Sequence, residues 1–127
     1  MNFRIYAAVL AAFSSLIGVV ACSTARSQAE PPTVKAQVEH GKYLVVYYGC
    51  ETCHDIPDIH GVRGSIGPSL KHFATKYYLA GELPNSPENL RRWIQHPHSI
   101  NPQTLMPDMN VTDDDAADIA LFLETLQ

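Results

Sequence analysis

The sequence has 127 residues, with nine Lys or Arg against thirteen Asp or Glu, for a formal net charge of −4. This length fits one small domain, since most domains hold about 100–150 residues. The acidic balance and the lack of a long basic run exclude nucleic acid as an expected partner. The cysteines number three, an odd count that a framework of disulfides alone does not explain.

The first 21 residues have the pattern of an export signal. Arg4 is followed by an uncharged, mostly apolar run from Ile5 to Ala21, as in a secretory signal peptide. The run is slightly short for a transmembrane helix, which needs about 20 apolar residues. The residues Val19-Val20-Ala21-Cys22 resemble a bacterial lipobox, in which the cysteine is lipidated and becomes the mature N-terminus. We therefore expect a cleaved signal and a lipid on Cys22, with an uncleaved anchor or a soluble secreted protein as alternatives.

A flexible tether is predicted after the signal. The stretch from Ser23 to Thr33 holds no large apolar side chain, so it cannot bury enough surface to offset its ordering entropy. We assign 1–21 to the signal peptide, 22–35 to the lipidated N-terminus and tether, and 36–127 to the folded domain. The domain is exported under each of the three interpretations of the N-terminus. We therefore predict that it lies on the periplasmic side of a bacterial membrane.

The domain is predicted to be all-α. Val34, Val38, Gly41, Val45 and Tyr48 recur at helical spacing and share one face. The glycine in this face costs about 1 kcal/mol of helix propensity, which is best explained by the close approach of another helix.

Three further helices are expected. The first follows Pro68 and stops near Gly81, with Leu70, Phe73 and Tyr77 directed inward. The second begins at Ser86-Pro87, a capping residue followed by proline at the first helical position, and ends before Pro97. The last begins at Thr112, which caps an acidic first turn. Its apolar face comprises Ala116, Ile119, Ala120, Leu123 and Leu126, with Phe122 beside it.

The segment from Cys50 to His54 carries the chemistry. It reads Cys50-Glu51-Thr52-Cys53-His54, which is the C-x-x-C-H attachment signature of c-type haem. The two cysteines are spaced to form thioethers with the two haem vinyl groups, and the adjacent histidine is placed to reach the iron. A thioredoxin-like thiol pair would normally follow a strand, whereas helical pattern precedes this one. The two cysteines could instead be half of a zinc site, but such a site needs further ligands close by, and the sequence has no second C-x-x-C.

The second axial ligand of the iron decides between an electron carrier and a catalyst. Met106, in Leu105-Met106-Pro107, is the leading candidate, and Met109 is its rival. Either methionine could instead fill core space, which is its commoner use. The remaining histidines are also available as ligands: His40, His60, His72, His96 and His98.

Residues 36 to 127 resemble the class I monohaem cytochromes c. The matching features are Gly41, the C-x-x-C-H segment, Gly67-Pro68-Ser69-Leu70, the helix with Trp93, Met106-Pro107, and the last helix with Phe122-Leu123. The stretch from Tyr78 to Leu90 looks like the cytochrome c domains that serve bacterial terminal oxidases, either as separate proteins or fused to an oxidase subunit. The sequence departs from the family at Phe122, where tyrosine is more usual, and at Lys76, where arginine is frequent.

The resemblance implies a small fold of about four helices wrapped around one covalently bound haem c. It implies His54 and Met106 as the iron ligands and a hydrogen bond from the far nitrogen of His54 to the Pro68 carbonyl. An apolar pocket is expected from Leu70, Phe73, Trp93, Ile94 and Leu105, with the Trp93 indole as a candidate propionate partner. Arg91 and Arg92 are expected on the solvated surface.

The expected function is that of a periplasmic c-type cytochrome. It would carry single electrons between respiratory partners such as a terminal oxidase or a dehydrogenase, as a monomer or complex subunit and not as an enzyme. One alternative makes the chain a fixed haem subunit of such a complex. Another is a haem enzyme or sensor with an open iron site.

Overall fold

The computed structural model describes residues 31–59 and 64–127. The expected signal peptide, Cys22, most of the expected tether and His60 lie outside these residues. Within the described part about half of the chain is helical, and the remaining regular structure is one small two-stranded sheet, in agreement with the predicted all-α class. The helices are α1 (Val34–Tyr47), α2 (Pro87–Gln95), α3 (Pro97–Ile100) and α4 (Asp113–Leu123), and the strands are β1 (Tyr78–Leu79) and β2 (Leu83–Pro84). No helix among the described residues is both long and apolar enough to cross a membrane.

Helix α1 begins earlier than the predicted domain boundary. Thr33 caps it, since the Ala36 N–H donates to the Thr33 hydroxyl at 3.3 Å, and the last two residues of the expected tether belong to the helix. Gly41 and Val45 are buried as the spacing predicts, and Leu44 joins them. Val34 is exposed, so the buried face of the helix does not extend to its first residue.

The close approach predicted at Gly41 is present where α1 crosses α4. A Cβ atom built on Gly41 would lie 2.6 Å from the carbonyl carbon of Asp118 and 3.0 Å from Cβ of Phe122. Real Cβ atoms do not tolerate such distances, so only glycine lets the two helices meet here. Polar contacts flank the crossing, because Gln37 donates to Asp118 at 3.1 Å and His40 Nδ1 lies 2.8 Å from the same carboxylate.

The two predicted helix starts are confirmed. The Asp115 N–H donates to the Thr112 hydroxyl at 3.2 Å, and the Asn89 N–H donates to the Ser86 hydroxyl at 3.3 Å. These bonds satisfy N–H groups that a helix leaves without an internal partner. The predicted apolar face of the last helix is buried throughout: Ala116, Ile119, Ala120, Phe122, Leu123 and Leu126.

The helix predicted after Pro68 is wrong. The segment contains one 3-10 turn, Phe73–Thr75, followed by β1 and β2, which pair antiparallel with Leu79 opposite Leu83. Tyr77, predicted to point inward, is 87% exposed. Leu70 and Phe73 are buried as expected. These apolar side chains therefore contribute to the core, although they do not lie along one face of a helix.

Candidate functional site

The C-x-x-C-H segment follows directly from the end of α1. Gly49 has φ +72, a left-handed conformation that glycine adopts without a steric penalty. It turns the chain into the 3-10 turn Cys50–Thr52, and the His54 N–H then donates to the Cys50 carbonyl at 2.9 Å. The turn brings the two cysteines and the histidine to one side of the domain.

The His54 ring is held by the Gly67-Pro68 segment. Nδ1 of His54 lies 2.8 Å from the carbonyl oxygen of Pro68, so the hydrogen bond that the family resemblance implies is present. Because a carbonyl oxygen only accepts, Nδ1 must carry the proton. This leaves Nε2 as the nitrogen with a free lone pair, which is the form that binds a metal.

Gly67 closes the other side of the histidine. A Cβ atom on Gly67 would lie 2.7 Å from Nδ1 and 3.0 Å from Nε2 of His54, so the ring occupies the space that a side chain would need. Backbone bonds fix this segment, since the Gly67 N–H donates to the Cys53 carbonyl at 2.9 Å and the Leu70 N–H donates to the Asp55 carbonyl at 2.8 Å. The orientation of the imidazole is therefore built into the fold.

A cavity of about 560 Å³ brings the predicted site residues together. Its walls include Cys50, Cys53, His54, Pro68, Leu70, Trp93 and Met106. Leu70 and Phe73 are buried core residues that reach its inner wall. A pocket of this size, with apolar walls and a few convergent polar atoms, is typical of cofactor sites.

The Cys50 thiol is not poised for thiol chemistry. Burial, with a smaller contribution from the nearby Glu51 carboxylate, raises the pKa of Cys50 to about 11. Reactive thiols have a lowered pKa, because the thiolate is the nucleophile. Cys53 lies at the same cavity wall, with the Thr52 hydroxyl 3.8 Å from its Sγ. The thiol oxidoreductase alternative is therefore disfavoured.

Both candidate methionines line the cavity. Met106 is half-buried, and its N–H donates to the Thr104 hydroxyl at 3.2 Å, which orders the loop before it. Met109 is more exposed, at 39%. The deeper position of Met106 favours it as the ligand.

The other histidines of the described part do not line the cavity. His40 pairs with Asp118 beside the crossing of α1 and α4, and His96 lies 3.7 Å from the Asp108 carboxylate. His72 and His98 are exposed. Within the described residues, His54 is thus the histidine that the fold offers to a cofactor in this cavity.

Four candidate partners for haem propionates differ in position. Trp93 and Lys76 line the cavity, and the Lys76 ammonium donates to the Ser69 carbonyl at 2.9 Å. Arg91 and Arg92 are exposed, as expected, and contribute to a separate surface pocket with Glu88 and Asp113. Of these four residues, Trp93 and Lys76 are therefore the two that the fold places at the cavity.

The expected apolar pocket needs two corrections. Ile94 is buried in the core and does not line the cavity, because it faces inward from α2 and not toward the cofactor site. Leu105 lines the cavity but is 83% exposed, so it belongs to the mouth. Sequence reasoning missed Tyr48 and Tyr78 as lining residues. Tyr48 could have been found from its position two residues before Cys50.

A covalently attached haem fits this site. The fold places two cysteine thiols, an imidazole with its proton fixed on the outer nitrogen, and a thioether around one apolar cavity. The glycine at position 67 keeps the space that the imidazole occupies free of a side chain. This donor set is that of a c-type haem site.

Comparison with known proteins gives the family. Residues 38–127 match the Cytochrome c family, so the chain belongs to the cytochrome c family of electron-transfer haem proteins. The chain is also similar to a cytochrome c oxidase subunit 2 from Alkalihalophilus pseudofirmus, with 26% identity over 102 residues. That alignment covers 80% of this chain but 29% of the relative, so the chain spans less than a third of that protein. No solved structure gives a significant match.

Proposed function

We propose that the chain is a periplasmic cytochrome that carries single electrons between respiratory partners. One haem c is attached through Cys50 and Cys53, with His54 and Met106 as iron ligands. The observation that carries the proposal is the hydrogen bond of 2.8 Å between His54 Nδ1 and the Pro68 carbonyl. It leaves Nε2 free in the cavity that both thiols and the thioether share.

The side chains of the site favour electron transfer over bond chemistry. Haem supplies a one-electron couple between ferric and ferrous iron, and methionine ligation raises its potential. His54 and Met106 would both hold the iron, and with both bound the site would offer no position to oxygen or peroxide. Leu70 and Phe73 keep water from the inner wall, and this apolar lining opposes extra positive charge there. The bond to Pro68 makes the imidazole a better donor, which acts in the opposite direction.

Ligand variants test the assignment. We expect Met106→Ala to abolish the methionine–iron charge-transfer band of the ferric protein, whereas Met109→Ala should keep it. The matched pair controls for general loss of an apolar side chain in the same loop. Loss of the band in Met109→Ala alone would overturn the assignment of Met106. A charge-transfer band absent from the parent protein would favour the haem enzyme or sensor with an open iron site.

We further propose that the domain is exported and held at the membrane through a lipid on Cys22. The support is the lipobox-like sequence and the short polar stretch before α1. Intact mass spectrometry of membrane-extracted protein tests both covalent groups at once. The expected mass corresponds to a chain that begins at Cys22 and carries lipid and one haem. A mass with the first 21 residues retained would instead indicate an uncleaved anchor.

A second candidate function is a fixed haem subunit of a terminal oxidase or dehydrogenase complex. The likeness to a cytochrome c oxidase subunit 2 favours it. Mild detergent extraction followed by gel filtration separates the two cases. A free carrier elutes alone, whereas a fixed subunit elutes with the other subunits of its complex in constant ratio.

A further inference from the structure

Helix α1 carries most of the exposed large apolar side chains that lie away from the cofactor cavity. Outside the walls of that cavity, five large apolar residues of the described part are exposed, and four of them belong to α1. These four are Val34, Tyr43, Val46 and Tyr47, and the fifth is Tyr77. Because none of the five lines the cavity, their exposure does not depend on whether a cofactor fills it.

Tyr43, Val46 and Tyr47 form one continuous surface, which we call the tyrosine face. Residues three and four apart in a helix lie side by side, and the rings of Tyr43 and Tyr47 stack with their centroids 6.0 Å apart. Tyr43 follows Gly41 by two residues, which places it on the opposite side of the helix from the crossing with α4. Large apolar side chains gathered on one exposed surface mark interaction sites, so the tyrosine face is available to something outside the folded domain.

The charges of α1 suit a surface of negative charge. Lys42 precedes Val46 by four residues and Lys35 precedes Lys42 by seven, so both lysines lie along one edge of the tyrosine face. Glu39 is the one acidic residue of α1, whereas α4 carries four aspartates and no basic residue. Tyrosine and lysine are the side chains that proteins place at the boundary of a bilayer, because the ring is apolar with a polar tip and the ammonium group meets anionic headgroups.

We propose that the tyrosine face rests on the lipid bilayer to which the chain is anchored. This inference rests on the proposed membrane attachment and adds the orientation of the domain. Val34 is the twelfth residue after Cys22, so an anchor at Cys22 keeps the start of α1 within at most about 40 Å of the bilayer, whatever path the chain takes. A connection this short holds the face beside the lipid at an effective concentration on the order of millimolar. Three side chains that would not bind a free domain to a membrane therefore suffice to orient an anchored one.

A second copy of the chain fits the tyrosine face less well than a bilayer does. Aromatic side chains bury about 150–250 Å² each, so two tyrosines and one valine fall short of the roughly 800 Å² per partner that a stable protein interface buries. A bilayer requires no such area from a domain that is already anchored to it. The area and the charges of the face therefore both favour lipid as its partner.

Spin labels on the full, haem-loaded and lipidated chain test this orientation. Lipid and haem would occupy Cys22, Cys50 and Cys53, the three cysteines of the sequence, so one added cysteine provides a single free thiol. Val46→Cys and, as the matched control, Tyr77→Cys are each labelled with a nitroxide and incorporated into vesicles of phosphatidylethanolamine and phosphatidylglycerol. Tyr77 suits as a control because it is largely exposed and lies outside α1. Collisions of the nitroxide with oxygen, which concentrates in lipid, and with a polar nickel complex, which stays in water, report its depth.

We expect the ratio of oxygen to nickel collisions to be at least about threefold higher at position 46 than at position 77. Tyr43→Ser/Tyr47→Ser removes both exposed rings of the face. This double substitution should bring the ratio at position 46 down to that at position 77, with an unchanged haem spectrum and unchanged circular dichroism.

The outcomes separate this inference from the proposed anchoring. Equal ratios at the two positions, in protein that sediments with the vesicles, would overturn the orientation and leave the anchoring intact. A high ratio at position 46 that persists in Tyr43→Ser/Tyr47→Ser would show that the label itself enters the lipid, and it would overturn the role of the tyrosines. Few collisions with both reagents at position 46, at high protein density alone, would assign the face to a second copy and overturn the proposal. Protein that does not sediment with the vesicles would contradict the proposed anchoring, and with it this inference.

Discussion

The histidine at position 54 shows how single residues define the site. Its outer nitrogen is fixed by the Pro68 carbonyl, and its ring fills the space beside Gly67. Both partners come from one short segment, so small changes in that segment act directly on the orientation of the imidazole. The family resemblance predicted the hydrogen bond, whereas the steric role of Gly67 required the coordinates.

Gly67→Ala should disturb the iron ligation. Its Cβ would lie 2.7 Å from His54 Nδ1, so the ring must move and the bond to Pro68 must lengthen. We expect an altered absorption spectrum and a weakened charge-transfer band. Gly81→Ala is the control, because no atom lies within 4 Å of the Cβ that it would add. The φ of Gly81 is +75, so alanine is strained there for a reason unrelated to His54. It should cost about 1 kcal/mol in the free energy of unfolding with no spectral change, and equal spectra for both variants would contradict the steric argument.

Tyr48 predicts a loss of stability at alkaline pH. Its hydroxyl donates to the Asp115 carboxylate at 2.7 Å. This bond is the largest of the causes that raise the pKa of Tyr48 above its usual 10, and it is followed by burial and by the negative charge of Asp115. A raised pKa in the folded state means that the stabilisation is complete below pH 10 and is lost as pH rises through the folded value. Tyr48→Phe should lower the free energy of unfolding by about 0.5–1 kcal/mol at pH 7.

Urea unfolding of the parent and Tyr48→Phe from pH 7 to 11 measures this effect. The difference between the two proteins should be constant to about pH 9 and shrink above pH 10. Tyr77→Phe is the control, since Tyr77 is largely exposed, and it should not change the pH profile. A difference that grows above pH 10 would contradict the stabilising role of the hydrogen bond.

At the scale of elements, two effects of opposite sign meet at Gly41, where α1 crosses α4: helix propensity and helix packing. Propensity alone predicts that Gly41→Ala stabilises α1 by about 1 kcal/mol. The contact with Asp118 and Phe122 predicts the reverse, because a Cβ would come within 3.0 Å of Phe122 and closer to the Asp118 backbone. We expect the free energy of unfolding to fall by about 1–3 kcal/mol.

Denaturant unfolding of the parent and Gly41→Ala measures the change in the free energy of unfolding, and the sign of that change decides between the two effects. Val46→Ala, on the exposed side of the same helix, serves as a control and should change stability by less than about 0.5 kcal/mol. Stabilisation by Gly41→Ala would show that the two helices separate at little cost.

Some elements could be predicted from sequence and one could not, for physical reasons. The starts of α2 and α4 were predictable because a capping hydroxyl and the N–H group that donates to it lie three residues apart. The segment after Pro68 instead depends on distant partners. The Ala74 N–H donates to the Leu126 carbonyl at 3.0 Å, and the Asn85 side chain donates to the carbonyls of Phe73 and Lys76. Such tertiary bonds override the local apolar spacing that suggested a helix.

Some residues of the candidate site could likewise be predicted from the sequence, and others could not. Cys50, Cys53 and His54 were evident from their spacing, and the lining role of Leu70 and Trp93 followed from the family resemblance. The exposed position of Leu105 and the core position of Ile94 were not evident. Both side chains are apolar, and only the path of the loop and the orientation of α2 decide which one meets the cavity.

At the scale of the whole molecule, the cavity is too large to leave unfilled. Without haem its apolar walls, Leu70 and Phe73 among them, would be open to water, and burial of apolar surface contributes about 25 cal/mol per Å². Small domains have only about 5–15 kcal/mol of stability in total. Cys50→Ala/Cys53→Ala, which cannot retain haem covalently, should therefore lose most of its helical circular dichroism at 25 °C once haem-free. A haem-free variant with the urea midpoint of the parent would contradict this coupling of cofactor and folding.

The contact between α1 and α4 also has a consequence for biosynthesis. Helix α1 precedes the cysteine pair in the chain, and α4 comes last among the described elements. In the proposed export, N-terminus first, Cys50 and Cys53 therefore reach the far side of the membrane before the helix that must pack against Gly41. Until then α1 has no partner for its buried face, and the two thiols stand in an open chain. The order of the elements along the chain thus provides an interval during export in which haem can be attached before the domain closes.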